Sequence, residues 1–482
     1  MRLIVTAMLL LLAQPLPALA APARADAARN LADFDFVVAK IETNYAGFPT
    51  KVTAANRADY AALTGRLRAR AATATDAELT AILTEWIGFF RDGHTQVSAN
   101  GAAPAAIKTP RLPWREPDVR ARLAALGTAR DPVEGIWQLQ DRYRLAVLRT
   151  DKAAMRFAAV VLATTSDAWQ PGEVKADLVR SAPGAYRMVY RAGDHGAHDV
   201  VPTLVAAGDA IDLGADWGVW TRVEPAPADP EGLARRYPSG LFLKRLSPTT
   251  LWLRIPDFND SRAKPLLAEL AAHQADLAAA PNLVIDLRRN GGGSDYVYAP
   301  ILPLLYTRPV VTIGIEMRAS ADNIALRQAI ADRIRAEAPE PAAGLDAQNT
   351  LMAAHIGSFV QPDPQPFSID RQPKVLPYPR HVAVLIDHAG STGEQFLLDA
   401  RQSRKVTLMG QSNSAGVLDF ANVVAMPTPS GRFEVQWATS RSLRVPADPV
   451  DPDGIAPDVR IPADVGDPVA WAQAWLERQP AD

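Results

Sequence analysis

The chain of 482 residues carries 51 Lys and Arg against 53 Asp and Glu, a formal net charge of −2, with 48% hydrophobic and 22% charged residues. That is the composition of a folded globular protein, its length favours two or three domains, and the charge balance offers no footprint for nucleic acid or an anionic membrane surface. The absence of cysteine excludes disulfides, thiol catalysis, a lipid-bearing Cys and Cys-ligated metal sites.

The first residues read as a secretory signal peptide over 1–20. Arg2 supplies the positive start, Leu3 to Ala13 the short apolar run, and Ala18-Leu-Ala20 the small-x-small cleavage site. An apolar run of 11 residues is too short for a spanning helix, which needs about 20. A soluble exported protein, periplasmic or secreted, is expected, with no membrane anchor after cleavage.

Residues 28–100 read as a small helical domain. Phe34, Val37, Val38 and Ile41 recur at helical spacing, and Thr75-Asp-Ala-Glu78 is a capping box ahead of Leu79, Ile82, Leu83, Trp86 and Phe90. The segment ends at Asp92-Gly-His-Thr95. From 112 to 225, short apolar runs alternate with turn signals: 134–137, 143–148, 157–162, 174–178 and 186–190. This spacing predicts an antiparallel β domain, a small barrel or meander, with Trp137, Trp169, Trp217 and Trp220 in its core. A spacer or a recruiter of substrate is its expected role. His195 and His198 lie in a polar turn without further ligands at metal spacing.

From 236 to 480 strands alternate with helical patterns, implying a mostly parallel sheet covered by helices. The expected strands are 250–255, 282–287, 310–315, 381–387 and 406–409, with helices over 263–278, 323–336 and 394–401. The Pro-rich stretch 339–377 reads as an irregular loop or lid. The fold class is therefore multidomain α+β: a helical domain, an inserted antiparallel β domain and a C-terminal α/β domain.

Within the α/β domain, Ala389-Gly-Ser391-Thr-Gly-Glu394 joins a strand to an amphipathic helix. Two readings compete there. Ser391-x-x-Glu394 is a capping box, and the same exposed turn suits a nucleophile with helix-start N–H groups beside it. A buried strand also runs into Asp286-Leu-Arg-Arg-Asn290-Gly-Gly-Gly293, whose glycines allow close backbone approach to a ligand. It is neither a phosphate loop nor a dinucleotide fingerprint. Asp451-Pro-Asp453-Gly-Ile-Ala-Pro-Asp458 is a third polar segment.

Taken in order, Asp-Leu-Arg-x-Asn-Gly-Gly-Gly, S-x-x-E, the Gly410 to Gly416 loop and Gly-Ile-x-Pro-Asp resemble the C-terminal processing peptidases and tricorn-type serine peptidases. The resemblance spans residue 236 to the end, plus the Asp-Gly-His-Thr segment. It implies a crotonase-like α/β core and a serine-type peptidase acting on peptides or unfolded polypeptide. In the processing peptidases a lysine follows the serine by twenty-five residues; here that position is Gly416. Lys405 reads as a solvated surface charge. The tricorn-type variant, to which the chain is more similar, implies Ser391 as nucleophile and His94 as base. His388 is the runner-up for the base. Gly93 stands where that variant has a serine. Asp451 is the implied orienting acid, with Asp453 the alternative, and Gly291, Gly292 and the Thr392 N–H are the implied oxyanion donors. No carboxylate-binding loop of the Gly-Leu-Gly kind precedes residue 236. An esterase or amidase, and a non-catalytic binder of apolar ligand or peptide on the same fold, are the rival readings. No metal or organic cofactor is implied.

Overall fold

The computed structural model describes residues 26–99, 109–193, 195–214 and 217–480, so the segment read as a signal peptide lies outside the described residues. No helix among the described residues is long and apolar enough to cross a membrane.

Helices Ala27–Asn44, Arg57–Ala71 and Asp76–Ile87 form the N-terminal segment. The third starts on the expected capping box, with the Glu78 N–H 3.4 Å from Thr75 Oγ1 and the Thr75 N–H 2.7 Å from the Glu78 carboxylate. These helices close no separate core. Phe34, Val37, Ile41, Trp86 and Phe90 are buried in one cluster with Phe420, Phe433, Val435 and Trp437 from a distant part of the chain. Those partners come from the antiparallel hairpin Phe420–Pro427 and Phe433–Ser442, which sequence reading passed over. A Thr-Pro-Ser-Gly turn joins its strands. Strand Gln96–Ala99, immediately beyond His94, pairs antiparallel with Phe433–Ser442 and fixes the helical segment to it.

The β domain is one antiparallel sheet. Its strands lie in the order 197–200, 185–191, 174–182, 156–164, 143–151, 135–139, 219–224, 210–212, 203–205. All five expected apolar runs are strands. The alternating burial of Ala185–Arg191 shows the period of two that produces a half-buried strand. Trp137, Trp169 and Trp220 are in the core, with Trp217 packed against it. Helix Glu116–Leu126, with Pro117 and Asp118 in its first turn, packs Val119 and Leu123 over Ile136 and Leu148 on the outer face.

A six-stranded sheet organises the C-terminal part, in the order Phe242–Arg245, Thr250–Arg254, Asn282–Asp286, His381–Leu385, Val406–Gly410, Val459–Arg460. The first pairing is antiparallel and the next four are parallel. The central strands are buried along their whole length, as their unbroken apolar runs require of a sheet covered on both faces. Phe396, Leu397 and Leu266 cover one face, and Val469, Ala472 and Leu476 of helix Pro468–Leu476 cover the other.

Two local expectations are corrected. The stretch 339–377 contains helix Pro339–Ala353 and strands Phe359–Val360 and Phe367–Asp370, the last paired with Val310–Ile313, so it is no irregular lid. Pro339 and Pro341 occupy the first helical turn, where a missing N–H is harmless. The expected single strand 310–315 is two strands, interrupted at Gly314, whose N–H donates to the Pro366 carbonyl at 2.8 Å.

Candidate active site

Parallel strands end on the same side, so the segments following Asp286, Leu385 and Gly410 converge at one sheet edge. They carry the triple glycine, Ser391 and the Gly416 loop.

The glycine turn is set from below. Buried Asp286 holds Arg288 through bonds of 2.9 and 2.7 Å. Asn290 is fully buried and works in several directions: its amide donates to the Ile255 carbonyl, its side-chain oxygen accepts the Gly292 N–H at 2.8 Å, and its carbonyl accepts the Gly390 N–H at 2.8 Å. Gly292 has φ +91°, and a Cβ there would lie 2.7 Å from Ser391 Cβ. Only glycine allows that approach. The Thr392 hydroxyl donates to the Gly293 carbonyl at 2.8 Å. The triple glycine and the serine turn thus interlock.

Ser391 is half-buried with φ 55° and ψ −124°, a conformation costly for a residue with a Cβ. Glu394 supplies the carboxylate leg of the capping-box arrangement, accepting the Ser391 N–H at 3.1 Å, while the Ser391 Oγ makes no cap hydrogen bond. Glu394 does more than cap. Fully buried, it also accepts from the Ser414 hydroxyl at 2.6 Å, the Gly416 N–H at 2.7 Å and the Val417 N–H at 2.9 Å. Burial pushes its carboxyl up, against these bonds. Sequence reading saw only the first of its four partners.

The Gly416 loop leaves no room for a lysine. Gly416 has φ +71°, and a Cβ would meet the Pro452 carbonyl oxygen at 2.3 Å. Lys405 lies before its strand, at the end of the sheet opposite Ser391. It is half-buried and donates to the Leu376 carbonyl at 2.7 Å, which corrects its reading as a solvated charge.

His94 arrives from the helical segment. Asp92 braces its turn, accepting the His94 N–H at 2.9 Å and the Thr95 hydroxyl at 2.8 Å. Val417 lies between the two turns: a Cβ on Gly93 would be 2.7 Å from Val417 Cγ1, and one on Gly390 would be 2.9 Å from Val417 Cγ2. The glycine at 93 therefore has a packing reason. The Asp-Gly-His-Thr turn and the serine turn share this one side chain across about 300 residues of sequence. His94 Nδ1 lies 2.6 Å from the Phe420 carbonyl oxygen. A carbonyl has no proton to give, so Nδ1 is the N–H and neutral His94 presents Nε2 as an acceptor. His94 and Ser391 make no direct hydrogen bond.

The other expected residues fall as follows. Gly291 and Thr392 present backbone N–H groups without a hydrogen-bond partner among the described residues, whereas that of Gly292 is taken by Asn290. Asp451 does not bond to His94. It is buried and accepts the Leu418 and Asp419 N–H groups at 2.6 and 3.0 Å. Burial and neighbouring Asp419 push its carboxyl up to about 7, against the N–H bonds that favour ionisation. Asp453 is exposed. His388 donates its N–H to the Asn413 carbonyl and lines a cleft of about 820 Å³ together with Arg254, Arg289, Asp387 and, from the β domain, Gln140 and Asp212. Neither Ser391 nor His94 lines that cleft. His195 stacks on Trp169 and bonds Thr109 and the Ala168 carbonyl, so it does not pair with His198. No group of metal-ligating side chains occurs among the described residues. The Phe420 carbonyl gave no sequence signal, because every residue offers one.

Residues 249–461 match the profile of Peptidase family S41. Among solved structures, the chain is similar to mature CPAF complexed with lactacystin, at 14% identity and a TM-score of 0.50 over 94% of this chain and 97% of that one. Mature CPAF alone gives 14% identity and 0.49 over 94% and 96%. The photosystem II D1 C-terminal processing protease gives 12% and 0.36 over 91% and 95%. No curated protein matches the chain. The family's profile covers the segments that hold the triple glycine, Ser391, Gly416 and Asp451, so this part of the chain is similar to Peptidase family S41, and the protein is a serine-type peptidase.

Proposed function

We propose that this peptidase is exported and cleaves peptides or unfolded polypeptide by acyl transfer on a crotonase-like core, with Ser391 as nucleophile and His94 as general base. The observation that carries the reading is the packing of the His94 and Ser391 turns against one Val417 side chain, with His94 Nδ1 tied to the Phe420 carbonyl.

A serine hydroxyl needs a base to attack at neutral pH. His94 Nε2 takes the Ser391 proton as Oγ adds to the scissile carbonyl, then gives it to the leaving amine. The Phe420 carbonyl keeps the proton on Nδ1 and orients the ring. The N–H groups of Gly291 and Thr392 receive the oxyanion; loss of one such donor costs about 3–4 kcal/mol of transition-state stabilisation. The apo distance between His94 and Ser391 closes when substrate docks. Export rests on the N-terminal sequence.

A fluorophosphonate probe tests this directly. Wild-type protein is expected to label, Ser391→Ala not at all, and His94→Ala at least about a hundredfold more slowly. Unlabelled wild type, or equal labelling of Ser391→Ala, overturns the reading and favours the non-catalytic binder. Hydrolysis of small esters without cleavage of an unfolded protein favours the esterase.

A further inference from the structure

The carbonyl that holds His94 is itself held by two carboxyl groups. Asp451 Oδ1 accepts the N–H groups of Leu418 and Asp419 at 2.6 and 3.0 Å. Asp419 Oδ2 accepts those of Val450 and Asp451 at 2.6 and 2.8 Å. Each aspartate thus grips the backbone of the other's segment. The Asp419 carbonyl in turn accepts the Ser442 N–H at 2.7 Å, tying the clamp to the hairpin on which the helical segment packs. Phe420 is the next residue, and its carbonyl meets His94 Nδ1.

Each carboxyl uses a single oxygen for its clamp. The second oxygens, Asp419 Oδ1 and Asp451 Oδ2, are buried and have no hydrogen-bond partner among the described residues, and the two residues are 1% and 7% exposed. Asp92 and Tyr45 face the pair from the helical segment, Arg444 Nε is 3.9 Å from Asp419 Oδ1, and Lys51 acts only electrostatically. Two buried carboxylates beside a third are costly to ionise together. A carboxyl that accepts through one oxygen can keep its clamp with a proton on the other.

We propose that Asp419 and Asp451 are positioning residues that fix the Phe420 carbonyl as hydrogen-bond acceptors, and that neither is the charged partner of the His94 imidazolium. This rests on His94 as the base. The roles differ in what the asparagine variants do. An Asn carbonyl can accept the same two N–H groups, whereas a direct charge partner loses about 10⁴-fold on conversion of Asp to Asn.

The test compares Asp451→Asn, Asp451→Ala, Asp419→Asn and Asp419→Ala. Three readouts are used: fluorophosphonate labelling rate, kcat and KM on an unfolded protein substrate, and the acid limb of the kcat/KM profile. The asparagine variants are expected to lose at most about tenfold and to keep the wild-type acid limb; the alanine variants are expected to lose at least about a hundredfold, in kcat rather than KM. A fall of Asp451→Asn to the level of Asp451→Ala overturns the proposal, as do alanine variants with wild-type rates. Should the alanine variants fail to fold, the asparagine variants decide alone: retained rates support the clamp and a 10⁴-fold loss overturns it. Full labelling of His94→Ala would instead remove the reading on which the proposal rests.

Discussion

Asp451 sits where burial outweighs its two N–H bonds, and that has a sign. Its carboxyl is pushed up to about 7 in the folded protein, against 3.8 ordinarily. The native state therefore binds a proton that the unfolded chain releases. The associated stability is complete below about pH 4 and is lost as pH rises through 7. Asn at this position does not ionise and keeps an acceptor oxygen. Asp451→Asn is thus expected to gain in stability relative to wild type between pH 5 and pH 8, by an amount on the order of 2–4 kcal/mol, read as a rise in relative melting temperature. Thermal melts at the two pH values check this; a constant difference between the proteins refutes it. The same group shows what a sequence can tell. The family resemblance marked Asp451, next to the Gly-Ile-x-Pro-Asp motif, as the acid expected beside the histidine. The group that meets the histidine is a main-chain carbonyl, on which no side-chain pattern bears.

Among the elements, the serine turn depends on Glu394 for its link to the 414–417 loop. Both its oxygens are in use: one accepts from Ser414 and Gly416, the other from Val417 and Ser391. This is the opposite of Asp451, where one oxygen is spare. A glutamine at 394 must turn an NH2 toward two N–H or O–H donors in a fully buried site. Glu394→Gln is expected to destabilise by about 2–4 kcal/mol, since buried donors then face a donor. Fluorophosphonate labelling should fall with it, because Val417 and Ser391 lose their common anchor. Denaturant unfolding measures the first effect; unchanged stability would show that the four bonds contribute nothing net. The S-x-x-E spacing was legible as a cap because a cap is a local contract within one turn. The long-range half of the same carboxylate's work was not, since the loop it binds lies some twenty residues on. The helix at Pro339–Ala353 was missed for a related reason: prolines count as breakers in a linear reading, yet the first turn tolerates them.

For the molecule as a whole, the decisive fact is that the histidine-bearing segment has no core of its own. The sequence announced its helices through their apolar spacing, and the buried parallel strands through their unbroken runs. It did not announce that Phe34, Trp86 and Phe90 meet Phe433, Val435 and Trp437, since amphipathic stripes show that a face is buried and not against what. Trp437 is fully buried, and its indole N–H donates to Asn323 Oδ1 at 2.8 Å, so it joins the hairpin, the helical segment and the α/β domain. If these parts form one cooperative unit, Trp437→Ala should lower stability by about 3–5 kcal/mol through the cavity it leaves. Hydrogen exchange would then accelerate by the same free energy in helices 27–44 and 76–87 as in strands 420–427 and 433–442. Faster exchange in the hairpin with unaltered helices would mean that the helical segment folds independently. In that event the distance from His94 to Ser391 would be set by a hinge between two bodies. The shared core argues against a hinge: the strand that leaves His94 is hydrogen-bonded into the hairpin whose first residue carries the carbonyl that holds the ring. The base and its anchor therefore move as one piece, and only its approach to the serine is left to the substrate.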